Sequence, residues 1–388
     1  MSVAEEAKLV RTDAPSGTDL LRLSRRDRPG AVARLRELSD VQQAEACREL
    51  RPEVRPEFLM LLEHPENVVP LLPEAELVHT IRSGGMSEAA WLLEIATAEQ
   101  RVACFDLDCW MDHTVDLERC AEWIDALIEA GRDTLALALD ELDLELILLT
   151  LRRDTDVVIV GREDDPPDGY FTADGTVYWR VSDDAPHRAH QIAHTAFSSA
   201  QPTYWRIVYG MIFEPPTEME EYALRWRTRR LNDLGFPDRE DAMRVYRPLP
   251  PEKVENFGRL EVGTDALQPA PGVPRQFAGT LLGEALAEMD PASASEVLGQ
   301  VLSVANWIAV ADDMRLSEPE SIPAALRKAV AGIDRGLREL AHMRNQPAAE
   351  VAARTRAIDL FRTGATLDPS LRRRAISGMA EPLDSRDG

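Results

Sequence analysis

Leu72-Pro73-Glu74-Ala75-Glu76-Leu77-Val78-His79-Thr80-Ile81-Arg82-Ser83-Gly84-Gly85 is the stretch that decides the fold class. Proline stands at a first helical turn, where its missing N–H costs little. Leu77, Val78 and Ile81 then recur at helical spacing, and Gly84-Gly85 stops the run. The same grammar surrounds it. A helical segment starts near Thr18, and further helices are predicted at 30–50, 55–64, 86–95, 97–111, 116–130 and 132–151. Ser87 and Thr97 are expected to cap the helices that follow them. Helices of about three turns are marginal alone in water, so packing on neighbours must hold them. The expectation for residues 17–153 is therefore a helical-repeat, solenoid-like domain without a strict period.

The pattern changes after residue 153. Asp156-Val157-Val158-Ile159-Val160-Gly161 is β-rich, and Asp174-Gly175 between Phe171 and Val181 is a hairpin signal. A small β hairpin segment is predicted over 154–183. Helices return over 184–247, at 187–200, 201–213 and 217–234. Thr217 and Glu220 read as a capping box, Gly235 as a stop, and Pro237-Asp238 as the opening of a helix to Val245. Residues 248–276 are rich in Pro and Gly and read as a linker. Residues 277–380 are predicted to form a C-terminal helical bundle, with Asp290-Pro291 and Asp368-Pro369 as helix starts and Gly364 as a stop. Residues 1–16 and the tail 381–388 are expected to be loose. The predicted class is mainly α with a small β insert.

Composition narrows function. The formal charge of -24 repels nucleic-acid phosphates and anionic membranes on average. The densest basic run, Arg225, Arg227, Arg229 and Arg230, follows Glu218, Glu220 and Glu221, so it reads as a charge-mixed helix. Lysine occurs only at Lys8, Lys253 and Lys328, which the sequence alone assigns to genome base composition. Cys47, Cys104, Cys109 and Cys120 form no C-x-x-C pair, and the start carries no apolar secretion segment. Reduced thiols in the cytoplasm are the expectation. The longest apolar run, near Leu135–Leu151, is broken by Asp140, Glu141, Asp143 and Glu145, so no membrane insertion is expected.

Five constellations carry chemistry, each with a plainer competitor. His187, His190 and His194 fall at roughly 0°, 300° and 340° on a helix and would face one way, as zinc or nickel ligands do. The competitor is a polar helix start with solvated histidines. Cys104, Cys109, His113 and Cys120 have the donor types of a closed zinc site, but a spacing of five sets Cys104 and Cys109 about 140° apart. Buried thiols acting as small apolar residues explain them as well. Asp106, Asp108 and Asp112 beside His113 read as an acid/base or cation site, or as a polar helix end. Asn306 with Asp312 and Asp313 reads as a ligand set, or as a buried amide anchor. Arg362 reads as a phosphate contact, or as a cation at the negative end of a helix dipole. Phosphate-binding loops, the dinucleotide fingerprint, the nucleophile elbow and the kinase set are all missing from the sequence.

Three segments resemble an uncharacterised bacterial domain-of-unknown-function family of deltaproteobacterial type. They are Arg230-Leu231-Asn232-Asp233-Leu234-Gly235-Phe236-Pro237-Asp238 with Val245-Tyr246-Arg247-Pro248, then Ala305-Asn306-Trp307-Ile308-Ala309-Val310-Ala311-Asp312, then Leu360-Phe361-Arg362-Thr363-Gly364 ahead of Leu371-Arg372-Arg373-Arg374-Ala375. That resemblance implies a fold and no activity. Residues 30–112 are also similar in rhythm to the cytosolic helical domain of MgtE-type magnesium transporters and to the middle domain of the flagellar switch protein FliG. Those domains imply contact surfaces and regulatory modules. Together with the missing catalytic signatures, this makes the leading expectation a non-catalytic cytoplasmic scaffold or adaptor that binds protein partners. The second expectation is a metal-dependent regulatory or hydrolytic protein using His187, His190 and His194.

Overall fold

Ser16 opens the first helix, α1 (Gly17–Ser24), by accepting a hydrogen bond from the Asp19 amide at 3.2 Å. The computed structural model describes residues 15–111, 113–160, 168–182, 188–255 and 277–371. Two compact units divide the chain, residues 1–226 and 227–388. The expected segments 17–153 and 154–183 both lie in the first unit. The division falls inside one helix.

The first unit continues with α2 (Arg28–Arg36), α3 (Asp40–Arg48), α4 (Arg55–Leu59), α5 (Pro65–Val68), α6 (Glu74–Gly84) and α7 (Ala98–Asp108). A two-residue hairpin, β1 (Trp110–Met111) with β2 (Thr114–Val115), leads to α8 (Leu117–Glu129), α9 (Arg132–Glu141) and α10 (Leu144–Leu151). Then come β3 (Thr155–Ile159), β4 (Phe171–Thr172) and β5 (Val177–Val181), which form an antiparallel sheet in the order β3-β5-β4. Asp174-Gly175 makes the turn between β4 and β5, as predicted. The Asp174 carboxylate accepts from Thr176 N and Val177 N, each at 2.8 Å. Helices α11 (Arg188–Ser199), α12 (Gln201–Phe213) and α13 (Pro216–Asp233) complete this part. The core gathers Leu20, Leu35, Phe58, Leu77, Ile81, Trp123, Trp179 and Tyr204.

Short helices leave many carbonyls without partners at their ends. In this unit polar side chains supply donors to carbonyls at such ends. Gln43 donates to Leu35 O at 2.9 Å and Leu38 O at 3.2 Å, closing α2. Buried Arg55 donates to Leu50 O and Arg48 O just past α3, and pairs with Glu76 on α6. Gln100 donates to Val69 O at 2.8 Å and Leu72 O at 2.7 Å. Arg101 donates to Leu93 O and Ala96 O, and grips Glu141 through two bonds of 2.6 and 2.7 Å.

The second unit is built around two long helices. It holds α14 (Arg239–Ala242), α15 (Leu281–Glu288), α16 (Pro291–Ala311), α17 (Ser321–Arg344), α18 (Ala348–Arg354) and α19 (Ala357–Leu367). Asp290 caps α16 with Pro291 in its first turn, as predicted. Helix α17 packs along α16 and α19. Its Gly332 and Gly336 meet Gly364 of α19 so closely that a Cβ on Gly364 would lie 1.9 Å from Gly332 O.

Several sequence expectations are corrected. The helix predicted over 30–50 breaks at Ser39, which forms a capping box with Gln42 and starts α3 afresh. The 55–64 helix ends at Leu59. The helix expected over 86–95 is a 3-10 turn, Ala90–Leu93; Ser87 bonds Glu129 at 2.6 Å instead of capping. The 132–151 helix breaks at Leu142-Asp143. Helix α13 begins at Pro216, so Thr217 sits inside the first turn and not at a cap. Gly364 lies within α19 and serves a close helix contact, not a stop. Among the described residues, α16 and not the run near Leu135–Leu151 is the helix long and apolar enough to cross a membrane, with 18 of its 21 residues averaging a mean hydropathy of 1.3. Its Val297, Val301, Val304, Ala305 and Ile308 are buried in the second unit.

Candidate functional site

Helix α12 reads Gln201-Pro202-Thr203-Tyr204-Trp205-Arg206-Ile207-Val208-Tyr209-Gly210-Met211-Ile212-Phe213. Pro202 fits the first turn, where no N–H is needed. Tyr204, Ile207, Val208 and Met211 face the core. On the opposite face Trp205, Tyr209 and Phe213 follow at intervals of four, so they stack up successive turns. They are 49%, 59% and 62% exposed. The Tyr209 and Phe213 rings touch at 5.1 Å between centroids. A helix apolar all round is normally covered on both sides. Here the outer side is open. Tyr222 and Trp226 of α13, also four apart, are exposed as well.

A groove of about 300 Å³ lies against this face, lined by Leu144, Glu145 and Leu148 of α10, by Pro202, Trp205, Arg206 and Tyr209 of α12, and by Glu214. Gly210 sets how closely the two helices approach, since a Cβ there would meet Leu148 Cδ1 at 2.3 Å. Arg152 pins the end of α12 to α10 by donating to Gly210 O at 2.7 Å and Met211 O at 2.8 Å. Glu145 is half-buried. Burial raises the pKa of its carboxyl, and the nearby Asp143 and Glu214 charges raise it further; its own backbone and Arg206 act the other way. The groove thus combines aromatic walls with an excess of carboxylate.

The constellations singled out in the sequence fare differently. His187 lies outside the described residues. His190 and His194 share one face of α11, with ring centroids 4.3 Å apart, and both pack on Phe171 of β4, at 4.9 and 6.1 Å. Among the described residues no three His, Cys, Asp or Glu side chains converge as metal ligands would. Cys47, Cys104, Cys109 and Cys120 are all free and buried, whereas His113 is exposed. Burial pushes the Cys47 thiol up to about 12 and raises Cys104 and Cys109 as well. These thiols are core residues. Asp108 accepts from Trp123 Nε1 at 2.9 Å and pairs with Arg82 at 3.2 Å, so it is a buried anchor for α8; Asp112 is outside the described residues. Asn306 is only half-buried and donates to Gly235 O at 3.3 Å. Arg362 pairs with Asp359 and donates to Arg247 O at 3.0 Å.

Asp312 belongs to a cluster that the sequence did not reveal. Lys328 Nζ lies 2.6 Å from Asp312 Oδ2 and 2.6 Å from Tyr246 Oη, and Tyr246 donates to Asp312 Oδ1 at 2.7 Å. Burial and the Asp312 charge raise the Tyr246 hydroxyl, holding it protonated. Each polar atom has a partner, so the cluster ties the turn at Met243–Tyr246 to α16 and α17. The signal was available: lysine is scarce in this chain, and one of three sits here. The aromatic face was equally visible as Trp205, Tyr209 and Phe213, but not which side of the helix the core would take.

The described residues thus define a mainly helical protein with a small β insert and an open aromatic face. A family of unknown function, DUF6178, matches residues 33–387, and the chain belongs to it. No curated protein and no solved structure matches the chain.

Proposed function

We propose that this chain is a non-catalytic helical scaffold or adaptor of the cytoplasm that docks a protein partner on the outer face of α12. One observation carries the reading: Trp205, Tyr209 and Phe213 are about half exposed or more on consecutive turns. Tryptophan and tyrosine dominate binding hot spots because they bury about 150–250 Å² each. Rings left open in a row on one helix are unusual for a protein with no partner. The clusters with enzyme-like residue types support the same reading. The cysteines and Asp108 are buried, the Lys328, Tyr246 and Asp312 group is half-buried, and all serve packing or helix ties.

The test is capture from extracts of the native host by the tagged chain and by a Trp205→Ala, Tyr209→Ala, Phe213→Ala variant of equal melting temperature. A stoichiometric partner held by the wild type and lost by the variant is the expected result. A partner held equally by both sinks the reading.

A second reading rests on His190 and His194, whose rings are adjacent on α11. Two imidazoles on successive turns are half of a zinc or nickel site. Metal retained after purification by the wild type, and lost by His190→Ala, His194→Ala, is what that reading expects. Equal, negligible metal in both would remove it.

A further inference from the structure

The α10–α12 groove also indicates what the partner presents. We infer that it receives an arginine side chain of a protein partner, with the guanidinium against the Trp205 and Tyr209 rings and within reach of Glu145 and Glu214. The inference rests on the docking reading above and adds the chemistry of the guest.

Three features of the groove point to a cationic, planar guest. The first is charge. Glu145 and Glu214 line the groove with a single cation, Arg206, so carboxylates outnumber cations there. Neither Glu145 nor Glu214 forms an ion pair among the described residues, while exposed glutamates such as Glu57 and Glu63 do. A half-buried carboxylate left in that state is stabilised by an incoming cation. The second is the wall. Trp205 and Tyr209 line the groove, and cations bind to aromatic faces, tryptophan best. The chain already uses this contact within itself: Arg225 stands over the Tyr222 ring at 5.9 Å. The third is shape. A groove of about 300 Å³ holds a long side chain and not a folded domain. Arginine fits better than lysine because its planar fork stacks on an aromatic ring and donates to carboxylates at once. The chain's charge of -24 would also steer a basic segment toward it.

The probe is a blocked hexa-arginine peptide, with hexa-lysine and hexa-glutamine peptides as companions, titrated against the full chain by tryptophan fluorescence and calorimetry at moderate salt. Hexa-arginine is expected to bind at least about tenfold more tightly than hexa-lysine, and hexa-glutamine not at all. Affinity is expected to fall about tenfold in Glu145→Gln, Glu214→Gln and again in Trp205→Ala. A control, Glu37→Gln, Glu45→Gln, removes the same charge from another exposed part of the surface and should leave affinity within about twofold. Equal losses in the groove variant and the control would mean general attraction to an acidic protein, and would overturn the inference. So would equal binding of arginine and lysine peptides.

The native partner separates this inference from the reading beneath it. If the aromatic triple variant loses the partner while Glu145→Gln, Glu214→Gln keeps it fully, docking stands and the arginine guest falls. If both variants keep the partner, both fall. Loss in both variants supports the two together.

Discussion

Between residues 28 and 108 the helices are short, and polar side chains from one reach the carbonyls that end another. Between 291 and 367 two long helices, α16 and α17, dominate, and α17 meets α19 face to face through glycine. Gln43, Arg55, Gln100 and Arg101 do the work in the first region. Gly332, Gly336 and Gly364 do it in the second, where α16 and α17 run to 21 and 24 residues. The reason lies in the count of helix ends. Every C-terminal end leaves carbonyls that the helix itself does not pair, and a buried unpaired one costs about 1–3 kcal/mol. Many short helices therefore need many buried donors. A few long helices need few, and gain by close backbone approach.

The largest effect is expected where the second region departs from its own rule, at the tight polar cluster of Lys328, Tyr246 and Asp312. Asp312→Ala strands the Lys328 ammonium, whose side chain is 12% exposed, beside the half-buried Tyr246 phenol. The loss of stability should be about 3–5 kcal/mol by denaturant unfolding. Lys328→Met in the same background should recover part of it, because the stranded charge is gone. No recovery would mean that packing, and not the charge, sets the cost.

Next comes the glycine contact. In Gly364→Ala the new Cβ meets backbone, Gly332 O at 1.9 Å and Gly336 N at 3.1 Å, and backbone yields poorly. Overpacking of this kind costs about 1–3 kcal/mol. An equal or higher melting temperature would show that α17 and α19 can separate freely, and the contrast between the two regions would fail.

The matching test in the first region is Gln100→Leu. It removes donors from Val69 O and Leu72 O, and the acceptor that takes Thr97 N at 3.0 Å. About 2 kcal/mol is expected. Ser39→Ala should cost less, about 1 kcal/mol, because its cap is exposed to water. If the Ser39 change costs more than the Gln100 change, the tie between buried carbonyls and side-chain donors is not what holds this region.

These same features explain what the sequence could say. Caps with a local signature were legible: Thr97 with Gln100, Asp290 with Pro291, Asp174-Gly175 in its turn. Ser39 with Gln42 is just as local, but apolar spacing runs on through it and masks the break. Gly364 was misread because a glycine that stops a helix and one that lets two helices touch look alike until the partner helix is known. Gln100 and Arg101 bond carbonyls distant in sequence, so nothing near them could announce the role. The exposure of the α12 aromatic residues, as distinct from their spacing, is hidden in the sequence for a different reason. The helix is apolar on both sides, and only the packed structure shows that Tyr204 points in and Trp205 out.

The smallest effect concerns the groove, which belongs to neither device. Glu145 has its pKa raised by burial first, then by Asp143 and Glu214. A raised folded pKa means that the folded chain holds the proton more tightly than the unfolded one. That stabilisation is present when the carboxyl is protonated and is lost as pH rises through the folded value. At neutral pH the charged form is therefore slightly unfavourable in the fold. Glu145→Gln, which carries no charge, should be more stable than wild type at pH 7, by no more than about 0.5 kcal/mol at this partly exposed site. The advantage should vanish below about pH 4, where an ordinary glutamate is protonated in both states. Melting the two proteins between pH 3.5 and pH 7.5 gives the curve. A guanidinium seated beside Glu145 would favour the charged form and shrink the gap at pH 7. A variant that is less stable than wild type at pH 7 would mean that Glu145 already has a partner in the fold, and the groove would then have no unbalanced charge for a guest to meet.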